Sequence, residues 1–123
     1  MEIHSFSTSV AKRIDQYHSK AFSYTEIVKL DGHYRIGCAW LGSDGLIGEH
    51  PASQEQLLLV VAGSALVSGT QASSVEVGPG SAVLWNAGEV HKTRAGEAGL
   101  VAIIVQGDGL GQALEINPSE KAS

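Results

Sequence analysis

The sequence predicts a single all-β domain of the barrel or sandwich type. Short apolar runs of strand composition recur at spacings of about 8–12 residues. Fifteen glycines are many for this length and fall mostly between those runs. No helix-period segment of useful length interrupts them after Tyr24. A chain of 123 residues is one domain by length, and 43% hydrophobic with 17% charged residues is the composition of a chain that buries a core.

Residues 1–24 read as an irregular N-terminal arm, in which 9–15 suggests one or two helical turns with Ser9 as N-cap. The barrel spans 25–107. Its first strand, 25–30, stops at the turn dipeptide Asp31-Gly32. Residues 34–41 alternate, with Tyr34, Ile36, Cys38 and Trp40 on one face, and are expected to turn at 42–45. The continuous apolar run 57–62 predicts a strand covered on both sides. A turn is expected at Gly63-Ser64, with 65–68 as hairpin partner, followed by a polar hairpin loop over 68–74. Strands at 75–77, 82–85, 90–94 and 100–105 follow, separated by turns at 78–80, 86–88 and 96–99. Residues 108–123 read as a loosely attached tail. The total is roughly eight short strands.

Charge and cysteine content exclude several functions. The formal net charge is −5, and after residue 35 only Lys92, Arg94 and Lys121 stand against nine acids. That leaves no basic face for a phosphate backbone, so nucleic acid is not an expected partner. The single cysteine, Cys38, rules out an internal disulfide framework and fits a reducing compartment. Its apolar strand face predicts a buried structural thiol. The N-terminus lacks the pattern of a secretory signal, and no apolar stretch reaches the roughly 18 residues of a membrane span. The expected setting is cytoplasmic, with no membrane partner.

The candidate site lies in two spaced motifs. The first reads Gly45, His50-Pro51-Ala52, three residues, Gln56, six residues and Gly63. The second reads Gly80, five residues, Asn86-Ala87-Gly88, two residues, His91, three residues and Ala95. His50, Ala52 and Gln56 share a parity, so all three can face a barrel interior, and Gly88 turns His91 toward the same mouth. Together these stretches resemble the paired motifs of the cupin superfamily over about 50 contiguous residues. The resemblance implies a double-stranded β-helix, or jelly-roll barrel, and is closest to small bacterial single-domain cupins of unassigned role. It also implies a divalent metal held by two first-motif histidines, the Glu or Gln, and the second-motif histidine. Here that set maps onto His50, Gln56 and His91, with Ala52 where the second imidazole stands in the family; in the alternative register His50 is the second imidazole and Gly48 replaces the first.

Three functions are therefore expected as alternatives. The first is a module binding a small polar molecule, with Fe, Mn, Ni or Zn at most weakly held. The second is a metal-dependent enzyme of dioxygenase, isomerase or lyase type using His50, Gln56 and His91. The third is a metal-free enzyme with a histidine general base. Glu89, of the same parity as His91, is its local charge partner and the one catalytic candidate outside the ligand set. A solvated loop carboxylate is the alternative reading of Glu89. Glu49, Lys92 and Arg94 should face outward, and Thr93 the pocket. A homodimer is expected because cupins commonly pair their sheet edges, and the N-terminal arm is the candidate for crossing to the partner.

Overall fold

In a computed structural model, residues 1, 3–5, 7–29, 33–70 and 73–115 are described. Seven strands form one antiparallel sheet: β1 (Lys12–Arg13), β2 (Lys20–Lys29), β3 (Tyr34–Pro51), β4 (Gln56–Ser68), β5 (Val75–Val77), β6 (Ala82–Trp85) and β7 (Val90–Gly107). The order is β1-β2-β3-β7-β4-β5, with β6 also on β4. A four-residue helix, α1 (Leu110–Ala113), follows β7. The Glu55 carboxylate accepts backbone N–H bonds from Gly109 and Gly111 at 3.0 and 2.6 Å, which ties this segment to the barrel.

Three of the expected turns are bends inside long strands. The 42–45, 63–64 and 96–99 segments do not reverse the chain; β3, β4 and β7 run through them as strands of 18, 13 and 18 residues. Residues 65–68 thus continue the strand of 57–62 and are not its hairpin partner. Each of the three strands shifts register here, between Leu41 and Leu46 in β3 and on both sides of Ala62–Gly63 in β4 against β7. The bends abut. A Cβ on Gly63 would overlap the Gly99 carbonyl oxygen, and one on Gly99 would lie 2.6 Å from the Leu41 oxygen. Both glycines have φ +80°, a conformation that L side chains avoid. Glycine serves a bulge as well as a turn, and these bulges fold one sheet over on itself to close the barrel.

Alternation within the strands places the core. Phe22, Ala39, Leu41, Leu58, Val60, Leu100, Ala102 and Ile104 point inward from four adjacent strands, and Leu58 and Ala102 have no exposed surface. On β7 the inward parity runs His91, Thr93, Ala95 before the bend and Leu100, Ala102, Ile104 after it, so the bulge switches parity. Ile36, Cys38 and Trp40 share one face, as expected, and it is the outer one. The outer side of 57–62 is only partly covered: Leu57 is buried, but Val61 is 56% exposed.

The arm also departs from expectation. It holds two 3-10 turns, Thr8–Val10 and Gln16–His18, and Ser7 rather than Ser9 occupies the first N-cap position. Between them β1 pairs with β2, Lys12 opposite Tyr24. The strand predicted from residue 25 begins at Lys20. Asp31-Gly32 and residues 116–123 lie outside the described residues.

Candidate functional site

His50 and His91 face each other across the β3–β7 ladder. The register shift between Ile47 and His50 re-aims the end of β3, so that both Ile47 and His50 point inward. His91 is buried and His50 half-buried, and their ring centroids are 4.6 Å apart at 50°. Two more rings extend the contact. Trp85 lies 4.5 Å from His91 on the inner side, and Tyr17 stacks on His50 at 4.4 Å and 8° on the outer side. The site is thus a four-ring ladder running from the core to the surface. Trp85 Nε1 donates to the Ser68 carbonyl, which satisfies its buried polar atom.

Backbone carbonyls set the state of both imidazoles. His50 Nδ1 lies 2.7 Å from the Gly48 oxygen and His91 Nδ1 3.1 Å from the Glu89 oxygen. A carbonyl oxygen can only accept, so each Nδ1 carries a proton, and in the neutral ring the lone pair is on Nε2. Burial lowers the pKa of His91; the neighbouring His50 adds to this, and the hydrogen bond to the Glu89 carbonyl opposes it. His91 is therefore neutral at pH 7, a free base and hydrogen-bond acceptor.

The other sequence candidates take different places. Gln56 is buried and opens β4 with inward parity, opposite Trp85 on one side and Gln106 on the other. It adjoins the histidine pair through Trp85. Ala52 is buried, its N–H on the Glu89 oxygen and its oxygen receiving the Gly88 N–H, which anchors the end of β3 to the turn before His91. The Glu89 carboxylate accepts from the backbone N–H groups of Asn86 and Thr70 and so staples two loops together. The Glu89 group hydrogen-bonded to the His91 ring is the carbonyl, and the carboxylate acts on that ring through its charge, which raises the His91 pKa against the effect of burial. Thr93 is buried beside Ile47 and Val67, whereas Glu49 and Arg94 are exposed. Tyr17 was not legible as a site residue, because nothing in an irregular arm signals where it folds back. Trp85 read as packing.

A metal finds few donors here. Among the described residues, no three His, Cys, Asp or Glu side chains come together as a ligand group. Two imidazoles and an amide reach three donors only by counting Gln56, which lies beyond Trp85, and the set carries no anionic ligand to hold a divalent ion. The donor set does not fit a resident metal.

No family model and no curated protein matches the chain. Solved structures do. The polyketide cyclase RemF from Streptomyces resistomycificus is 18% identical over 86% of this chain and 80% of its own, with a TM-score of 0.72. A cupin superfamily protein from Desulfitobacterium hafniense is 13% identical over 88% and 93%, with a TM-score of 0.68. The fold is a cupin barrel. KdgF from Halomonas sp., 16% identical over 76% and 84% with a TM-score of 0.65, shares it. At these identities the likeness extends to the cupin fold and stops there, since one fold hosts many chemistries.

Proposed function

We propose that this cupin binds a small polar molecule at the barrel mouth through the paired Nε2 atoms of His50 and His91, without a resident metal. The observation that carries this reading is the ring pair: both Nδ1–H groups are engaged by backbone carbonyls, which leaves the Nε2 edges of two rings 4.6 Å apart to meet a ligand. A ligand with hydroxyl or other N–H and O–H donors satisfies both. Thermal-shift screening of metabolites against wild type, His50→Ala and His91→Ala tests it. A compound that stabilises wild type alone is the expected result. Stabilisation that survives in both variants would place binding elsewhere and end this reading.

One observation favours a second reading, a metal-free enzyme. His91 is neutral, buried and fixed by a backbone carbonyl, as a general base requires. His91 Nε2 would take the proton from a bound hydroxyl or acidic C–H. Glu89 would orient the ring through its carbonyl, in place of the carboxylate role expected from sequence. Turnover lost in His91→Gln with binding retained would separate an enzyme from a binding module.

A homodimer belongs to this proposal; within the single chain the arm pairs with its own barrel. The outer sheet face is the better candidate, with a second copy as its occupant. Ile36, Trp40, Val101, Ile103, Leu59 and Val61 lie side by side across β3, β7 and β4, with no charge among them. At strand spacings of about 4.8 Å, the three strands set these side chains across roughly 10 Å, the apolar centre of an interface whose rim the flanking strands supply. A dimeric mass that becomes monomeric in Val61→Lys is expected; a monomeric wild type removes the idea. The reducing cytoplasm is the compartment proposed, consistent with the unpaired Cys38. Among the described residues, no helix is long and apolar enough to cross a membrane.

A further inference from the structure

We propose that Tyr17 is a built-in placeholder for a flat conjugated ligand carrying an acidic hydroxyl, a phenol or an enol, which displaces the Tyr17 ring and stacks on His50. This deepens, and rests on, the small-molecule reading above. Three observations carry it.

The first is the ring ladder. Trp85, His91 and His50 follow one another from the core outward in tilted contact, and Tyr17 fills the stacked outer rung on His50. Tyr17 lies nearly parallel to the His50 ring, at 8°, yet is 52% exposed. The outer face of His50 therefore accepts a planar π-system, and the present occupant is weakly enclosed.

The second is the backbone that presents Tyr17. Tyr17 and His18 have φ of 58° and 59°, and Ala21 has 50°, all in the left-handed region that non-glycine residues rarely adopt. Such strain persists only where the surroundings hold it, and it marks a segment with an alternative conformation nearby. The segment is pinned on both sides of Tyr17, and one bond, from the Ser19 N–H to the Gln16 oxygen at 3.0 Å, closes the turn across it. Before it, the Ile14 N–H donates to the Phe22 oxygen at 2.9 Å; after it, the Gly48 N–H donates to buried Ser19 Oγ at 3.0 Å. In the proposed displacement, Tyr17 and His18 leave the left-handed region at the cost of the Ser19–Gln16 turn bond, and the ring leaves His50 while the Ile14 and Ser19 Oγ pins hold the ends.

The third is Gly48. A Cβ there would overlap the Tyr17 carbonyl oxygen, so the strap reaches His50 only because residue 48 has no side chain. The same glycine supplies the carbonyl that fixes the His50 tautomer. Strap and imidazole thus meet at one residue. A phenol or enol on the vacated face of His50 replaces the tethered phenol of Tyr17 with a free one, whose hydroxyl can turn round the His50 edge toward the imidazole nitrogens.

Calorimetric titration with 4-nitrocatechol, a flat acidic phenol, tests this on wild type, Tyr17→Ala, Tyr17→Phe and His91→Ala. Tyr17→Ala should bind about tenfold more tightly than wild type, because a competing stacked ring is gone. Tyr17→Phe should bind as wild type does, since its ring still fills the rung. His91→Ala should lose binding. Gly48→Ala, which forces the strap off by a different route, should reproduce the gain seen in Tyr17→Ala, and the non-planar cyclohexane-1,2-diol should show no gain in either. If Tyr17→Ala binds no more tightly while His91→Ala abolishes binding, Tyr17 is a wall of the pocket and the placeholder inference falls with the pocket intact. Equal binding by all of the proteins would overturn the histidine pocket as well. No binding by any would overturn the flat-phenol class, leaving the pocket to the metabolite screen.

Discussion

Gly63 and Gly99 lie back to back where the barrel turns its corner. Gly63 belongs to β4 and Gly99 to β7, both at φ +80°, and the Cβ that Gly63 lacks would occupy the Gly99 carbonyl. Their bulges carry β4 and β7 from the half of the barrel that holds the core leucines to the half that holds His91. The site therefore depends on a backbone contact far from it in sequence.

Replacing either glycine by alanine meets both a forbidden φ and a backbone overlap, and neither is relieved by a rotamer change. Gly99→Ala is expected to cost about 2–4 kcal/mol, a large value for adding one methyl group. Urea denaturation measures it. A loss under about 0.5 kcal/mol, the usual range of an indifferent surface change, would show that the corner is not rigid.

Stability should fall on mild acidification because of His91. Its folded pKa is lowered from 6.5, so protons prefer the unfolded chain between the folded value and 6.5. This contribution is fully present above 6.5 and is lost as pH falls below it. Denaturant midpoints for wild type should therefore drop faster between about pH 7 and 5 than those of His91→Gln, which has no imidazole there. Parallel curves would mean that His91 titrates as it does in the unfolded chain.

Cys38 should be inert in the folded protein. It has no exposed surface, and burial raises its thiol pKa. A disulfide reagent such as DTNB should react with it only after unfolding. Rapid labelling at pH 8 in the native state would show that the outer sheet face opens.

Purified untagged protein should carry far less than one transition metal per chain, before and after incubation with iron, manganese, nickel or zinc. Two neutral imidazoles bind such ions weakly. Near-stoichiometric metal, lost in both His50→Ala and His91→Ala, would restore the metal-dependent enzyme as the function.

Much of this was legible in the chain. Strand composition, the glycine-rich breaks and the two spaced motifs pointed to a cupin barrel, and the parity of His50 and the Gly88 turn before His91 brought the two rings to one mouth. Those signals are local: alternation along a strand and the φ preference of a turn are properties of neighbouring residues. The same local code is ambiguous where glycine serves two purposes, which is why 42–45, 63–64 and 96–99 read as turns. Whether a glycine reverses a strand or bends it depends on the register of the strands beside it, here Leu41 against Leu100 and Ala65 against Ala95. Which carbonyl fixes each imidazole, where the Glu89 carboxylate goes and what covers His50 were likewise decided by tertiary contacts. Tyr17 lies 33 positions before His50, in an arm without periodicity. No pattern in sequence records a contact made by one ring across that distance, since it exists only once β2 and β3 have paired and the missing side chain of Gly48 has left the space.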